Sequence, residues 1–276
     1  MPDWIRTGLT VLLGLGMAVA TQADSKLLAT AGATSFEGAA GGGLVPWAVI
    51  SGYGDSGEWG GAVSLTRVGV DDFQLDVRSI SVGIENRLEF SASRQQLDVL
   101  PLDLEISQDI FGAKLRLAGD LVYTRLPQLS AGLQYKRNRD MAVPTALGAT
   151  SGSGVDVYLA ASKLWLNGLL GRNLFANITL RSTAAHQAGL LGFGNERELR
   201  LEASAGIFLN RQWVLGAEYR QKPDQLAAAE EDDWADVFVG WFPGKRFAAV
   251  LAWTDLGSIA GLPGQGGWYL SLQLNQ

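Results

Sequence analysis

The chain of 276 residues contains no cysteine, one histidine and 8 prolines. Without cysteine there is no disulfide scaffold, no thiolate zinc site and no lipid-modified N-terminal thiol. Packing and backbone pairing alone must hold the fold. After the first 23 residues there is no uncharged apolar stretch long enough for a spanning helix, which needs about 18 residues or more. The net charge is -6, with no concentrated basic face, and this argues against nucleic acid as a partner.

What is present begins with an export signal. Met1 to Arg6 is a short leader carrying Arg6, and Leu9 to Val19 (LTVLLGLGMAV) is apolar but too short to cross a bilayer. Thr21-Gln22-Ala23 then offers a small-residue cleavage site before Asp24. Residues 1–23 therefore read as a cleaved signal and the mature protein as an envelope or secreted one. The 35 glycines suit a protein of many turns and closely approaching strands, and no three-residue period makes them collagen-like. Hydrophobic residues make up 47% of the chain, yet its mean hydropathy is only +0.10. A helical membrane protein would score higher, whereas a barrel dilutes its lipid face with a polar inner one.

The recurring pattern is alternation at period two. From Leu199 to Leu209, Leu199, Leu201, Ala203, Ala205, Ile207 and Leu209 share one face, while Arg200, Glu202 and Ser204 lie on the other. A second run sets Trp213, Leu215, Ala217 and Tyr219 against Val214, Gly216, Glu218 and Arg220. A turn at 210–212 pairs Ala203 with Tyr219, Ser204 with Glu218 and Glu202 with Arg220, so apolar meets apolar and acid meets base. Similar runs lie at Phe73–Val77, Leu88–Ala92, Phe111–Leu117, Val155–Ala161, Leu174–Leu180 and Trp268–Leu274, and on both sides of Pro243-Gly244. Compact turns are expected near 85–87, 168–173, 210–212 and 243–245, and long loops at 93–108, 137–154, 183–197, 221–233 and 255–266.

Two-faced strands joined alternately by short turns and long loops predict a transmembrane antiparallel up-and-down β-barrel, with the short turns periplasmic and the long loops outside. The expected organisation is a signal at 1–23, a Gly-rich segment at 24–43 and a barrel over 44–276. The strand count is twelve or fourteen. With fourteen, Lys26–Phe36 is an extra first strand; with twelve, the Gly-rich segment is free to fold into the lumen.

The alternation nominates lumen-lining charges: Asp76, Arg78, Lys114, Arg116, Lys136, Asp156, Arg181, Arg200, Glu202, Glu218 and Arg220. Charges at this density need partners or water. Glu230-Glu231-Asp232-Asp233 is expected as a solvated acidic collar that repels anions and concentrates cations at an entrance. It lacks the spacing of a calcium loop, and no metal or cofactor is expected. Trp59, Trp165, Trp213, Trp241, Trp253 and Trp268 fall near strand ends, where amphipathic rings anchor at the bilayer interface. His186, in a loop, is a catalytic candidate only if Ser182 comes within hydrogen-bond reach. Gly38–Gly43 (GAAGGG) lacks the ending of a phosphate loop and suits close backbone approach instead. Gly189–Gly194 (GLLGFG) places Leu190, Leu191 and Phe193 in a loop that either packs on a neighbour or folds inward as a constriction.

Four strings, Glu37–Ala48 (EGAAGGGLVPWA), Gln187–Gly194 (QAGLLGFG), Glu218–Leu226 (EYRQKPDQL) and Asp255-Leu256-Gly257, occur in this order. Together they resemble a Gram-negative envelope family known as domain of unknown function 3034. The resemblance covers essentially the whole mature chain. It implies an outer-membrane location and brings no activity, ligand or catalytic residue. The chain departs from the usual barrel ending, because Asn275-Gln276 follows Leu274 where an aromatic commonly closes the last strand.

The expected role is a passive channel or uptake pore for small solutes. The alternatives are a closed structural or assembly barrel acting through its outer loops and, more remotely, a hydrolase using His186. The expected partners are outer-membrane lipid and lipopolysaccharide, the barrel-assembly machinery and small solutes.

Overall fold

The computed structural model describes residues 26–226 and 231–276, so the signal expected at 1–23 lies outside the described residues. Two short strands, β1 (Ala33–Thr34) and β2 (Ala40–Gly41), form a small ribbon of their own. The wall then runs through β3 (Trp59–Val70), β4 (Phe73–Ile84), β5 (Leu88–Val99), β6 (Leu104–Ala118), β7 (Gln128–Asn138) and β8 (Ser153–Leu169). It continues through β9 (Arg172–Ala185), β10 (Phe193–Phe208), β11 (Trp213–Arg220), β12 (Trp234–Gly244), β13 (Phe247–Asp255) and β14 (Gly266–Asn275). Every neighbouring pair is antiparallel, and β14 returns to β3, closing a twelve-stranded barrel without an edge.

Of the two strand counts left open by the sequence, twelve is the one adopted. The barrel starts at Trp59 and not at residue 44, and residues 31–54 before it run inside the lumen. Every residue from Ala31 to Gly54 is buried. Small residues make this possible: a Cβ on Gly42 would lie 2.0 Å from Glu218 Oε1.

The hairpin of β10 and β11 has the register read from its sequence, with Ala203 opposite Tyr219, Ser204 opposite Glu218 and Glu202 opposite Arg220. Asn210 organises its turn, accepting backbone N–H bonds from Gln212 (2.8 Å) and Trp213 (3.0 Å). At the β8–β9 turn, Leu170 and Gly171 both take positive φ (52° and 72°), the geometry that matches a two-residue hairpin to strand twist.

The outer face is apolar over a continuous belt. Leu159, Ile178, Val237 and Trp268 are all more than half exposed there. Uncovered leucine, isoleucine and valine on this scale suit a surface bathed in lipid.

The connections differ from expectation in detail. Residues 93–108 are not a long loop but the ends of β5 and β6, joined through 100–103. The polar residues Arg94, Gln95, Gln96 and Asp98 occupy both faces of β5 there and hide its alternation. The rim opposite the last residue of β14 also includes the two-residue link 71–72, and the other rim holds the nine-residue link 119–127.

Candidate functional site: the plugged lumen

The inner segment, residues 26–53, is pinned to the wall chiefly through polar contacts. Glu37 is the only acid between Ser25 and Gly54, and it sits at the centre of the lumen, buried. Lys136 Nζ bonds to it, Arg181 reaches it at 3.1 Å, and Arg220 reaches it with two bonds of 2.9 Å. Asp156 and Glu202 complete the cluster: Lys136–Asp156 is 2.7 Å, Arg181–Glu202 is 2.5 Å and Arg220–Glu202 is 3.4 Å. Three acids thus face three bases, the balance that buried charge requires. Arg220 also lies over the rings of Phe36 (5.1 Å) and Trp234 (5.7 Å), and Arg181 over Tyr158 (5.3 Å).

Two more carboxylates grip the segment by its backbone. Glu218 accepts N–H bonds from Gly43 and Leu44 (2.6 Å each), the Ser204 hydroxyl (2.6 Å) and the indole N–H of Trp47 (3.3 Å). Glu89 accepts from Ala40 N (3.0 Å) and Ser51 N (2.9 Å), and is paired with Lys114 at 3.1 Å. Neutral wall residues satisfy the segment's carbonyls: Ala48 O accepts from Gln128 (2.7 Å) and Ser130 (2.6 Å), and Pro46 O from Thr179 (2.8 Å).

Towards the outer loops the filling turns apolar. Phe36 and Leu44 of the segment meet Val68, Phe73, Leu75 and Leu97 of the wall around a cavity of about 40 Å³. The loop at 186–192 closes this end. Leu190 and Leu191 are buried, so this loop folds inward as a cap. A second cavity of about 30 Å³ lies between Trp47, Phe175, Phe208 and Phe242. Both are far smaller than the roughly 150 Å³ that holds even a benzene-sized guest.

The inner face of the barrel carries Lys114, Arg116, Lys136, Asp156, Arg181, Arg200, Glu202, Glu218 and Arg220. Of these, Arg116 is drawn aside to Asp120 (3.1 Å) and Arg200 to Glu198. Asp76 and Arg78 are corrected: both point outward. On β4 the alternation holds, but Phe73, Leu75 and Val77 are the buried set, because they fill the apolar end of the lumen. Asp76 instead pairs with Arg67 on the outer face at 2.5 Å.

The acidic collar is corrected at Glu231. Glu230 lies outside the described residues. Glu231 is buried, accepting from Gln187 N (2.7 Å) beside His186 Nδ1 (3.1 Å). Asp232 accepts from Ser258 N (2.8 Å), while Asp233 takes Lys222 N (3.0 Å) and the Tyr219 hydroxyl. Glu231 is thus not part of a solvated collar, while Asp232 and Asp233 remain exposed, as expected, and tie the loop to its neighbours. His186 and Ser182 are not brought together, since the Ser182 hydroxyl accepts from Arg197 at 3.2 Å. Among the described residues no group of three or more His, Asp and Glu is placed to hold a metal.

The six tryptophans all face outward. Trp213 and Trp241 stack at 5.7 Å near the short-turn rim, and Trp253 and Trp268 meet edge-on at 4.9 Å near the other. Glu37 and Glu89 escaped the sequence reading. The signal for Glu37 was its isolation in an Ala/Gly stretch, and for Glu89 its place between the outward Leu88 and Phe90.

A family model described as protein of unknown function (DUF3034) matches residues 30–273. No curated protein matches the chain. Among solved structures, the NanC porin is similar at 8% identity and a TM-score of 0.53, covering 78% of this chain and 98% of that one. The KdgM porin is similar at 10% identity and a TM-score of 0.51, covering 77% and 98%. At such identities the likeness is one of fold.

Proposed function

We propose, from the premise that this chain belongs to the DUF3034 family and folds as a porin-like barrel, that it is an outer-membrane gated passage for small polar solutes, closed at rest by its own residues 26–53. One observation carries this reading: the wall behind the inner segment is hydrophilic. Gln128, Ser130, Asn177, Thr179, Ser204 and Gln273 are buried against that segment or beside it: Gln128, Ser130 and Thr179 donate to its carbonyls, Gln273 and Ser204 accept from its Thr34 and Trp47 side chains, and Asn177 donates to Thr179. A segment with little regular structure needs such donors for its carbonyls while it is seated, and the same donors stay satisfied when it leaves. Hydroxyls and amides exchange a backbone partner for water at little net cost, so withdrawal of the segment leaves a wettable bore. Barrels of eight strands are filled by their own side chains and those of 16–18 hold channels, and twelve stands between.

A closed barrel acting through its outer loops is the second reading, favoured by the completeness of the filling. Planar-bilayer recording separates the two. The passage reading expects rare openings in the mature chain, frequent ones in Glu37→Gln, and steady current when residues 24–53 are removed. Silence in all three, with the barrels folded, supports the closed reading.

A further inference from the structure

On β3 to β7 the outward apolar run ends, towards the outer loops, at a charged residue: Arg67, Arg78, Arg94, Asp109 and Arg137 in turn. Around the rest of the barrel the outward runs end at Ser153, Ser182, Arg197, Gln221, Asp233 and Asp255, and Arg197 there is already held by the carbonyls of Val155 and Ser182 at 2.7 Å each. Arg67 is satisfied by Asp76 through bonds of 2.6 and 2.5 Å. The others are not. Arg78 and Arg94 stand directly opposite each other on adjacent strands. Like charges so placed repel. Arg78 and Arg137 have no polar side-chain partner among the described residues. Arg94 has only a 3.9 Å contact with Asp109, which also holds Arg139 at 2.6 Å. Two guanidinium groups, those of Arg94 and Arg139, thus share one carboxylate, and two more, Arg78 and Arg137, stand beside them without one.

We propose that this cluster binds the phosphate of an outer-leaflet membrane lipid. The guanidinium fork matches phosphate oxygens two at a time, and a phosphate between Arg78 and Arg94 turns their repulsion into attraction. One step towards the bilayer the outward residues are Ile80, Phe111 and Tyr135, between 40% and 54% exposed. A ligand touching both rows therefore has acyl chains directly beneath its phosphate. Further out, Asp98 and Glu105 repel a free anion arriving from solvent, but not a phosphate delivered along the bilayer. The inference takes the bilayer from the proposed function and does not need the passage.

Native mass spectrometry of the delipidated protein tests it, with a phosphorylated glycolipid, the same glycolipid stripped of phosphate, and inorganic phosphate as probes. The phosphorylated lipid is expected to bind at least about tenfold more tightly than the stripped one. That preference is expected to vanish in an R78Q/R94Q pair, to weaken in R137Q, and to persist in D255N on the far side. These side chains are exposed, so an unchanged melting curve certifies the folded barrel. Equal binding of the two lipids, an unchanged preference in R78Q/R94Q, or displacement by inorganic phosphate at comparable concentration each overturns the proposal. Because the readout is bound mass, a silent barrel in bilayer recordings leaves this test intact.

Discussion

Arg220 on the wall holds Glu37 of the inner segment through two hydrogen bonds of 2.9 Å, although 183 positions separate them in the chain. The pair sits where three bases face three acids, so neither side can be altered alone without leaving buried charge uncompensated. Substituting Glu37→Gln is expected to weaken seating of the segment by about 3–5 kcal/mol. Hydrogen exchange reads this as lost protection over residues 31–54 while the strands stay protected. Adding Arg220→Gln restores the charge balance and is expected to recover part of the protection. Unchanged exchange in the single variant removes the cluster from the account of closure.

Close approach is the second requirement for seating. A Cβ on Gly42 would stand 2.0 Å from Glu218 Oε1, in a carboxylate already fixed by four donors. Gly42→Ala is therefore expected to lift the segment off Glu218 and raise its protease sensitivity. Gly244→Ala, where nothing lies within 4 Å of the added Cβ, serves as the control. Equal protease resistance in both variants contradicts the tight fit.

The sequence held the wall more legibly than its contents. The β10–β11 hairpin could be read with its register because both faces matched: Ala203 met Tyr219 while Glu202 met Arg220. On β4 the same period was present, but period alone does not say which face is inside. Phe73, Leu75 and Val77 lie beyond the lipid belt, where the lumen and not the bilayer is the apolar surroundings, so Asp76 and Arg78 turn outward. Glu231 read as a solvated acid because its partners, His186 and Gln187, come from a loop some 44 residues earlier. Glu37 became a central residue only once the barrel had brought Lys136, Arg181 and Arg220 around it.

Asp236 breaks the pattern of balanced charge. It stands directly opposite Glu218 on the inner face, 5% exposed, and neither of its carboxylate oxygens has a hydrogen-bond partner among the described residues. An unpaired buried group of this kind costs about 1–3 kcal/mol. Asp236→Asn keeps the shape and supplies an amide donor towards Glu218, so it is expected to raise the urea midpoint. A lowered midpoint indicates that the carboxylate has a partner that the substitution removes.

Lys222, in the connection between β11 and β12, gives the outer cap a pH dependence of definite sign. Burial pushes its pKa down to about 7, against the attraction of Glu231. Its Nζ donates to Gln187 Oε1 at 2.8 Å and lies 4.7 Å from the Trp234 ring centre. With the loop open, the amine regains its ordinary value near 10.5. The open form therefore binds more protons between these two values, so closure strengthens as pH rises from about 7 towards 10. Below that window both forms are charged and the cost of burying the ammonium is present in full. Lys222→Met removes the titrating group and is expected to flatten the profile, with the cap as closed at neutral pH as the parent is near pH 10. The measurement is exchange protection of residues 186–192, corrected for intrinsic rates, in both proteins across this range. A parent profile that falls with rising pH, or one that Lys222→Met leaves unchanged, excludes the lysine as its source.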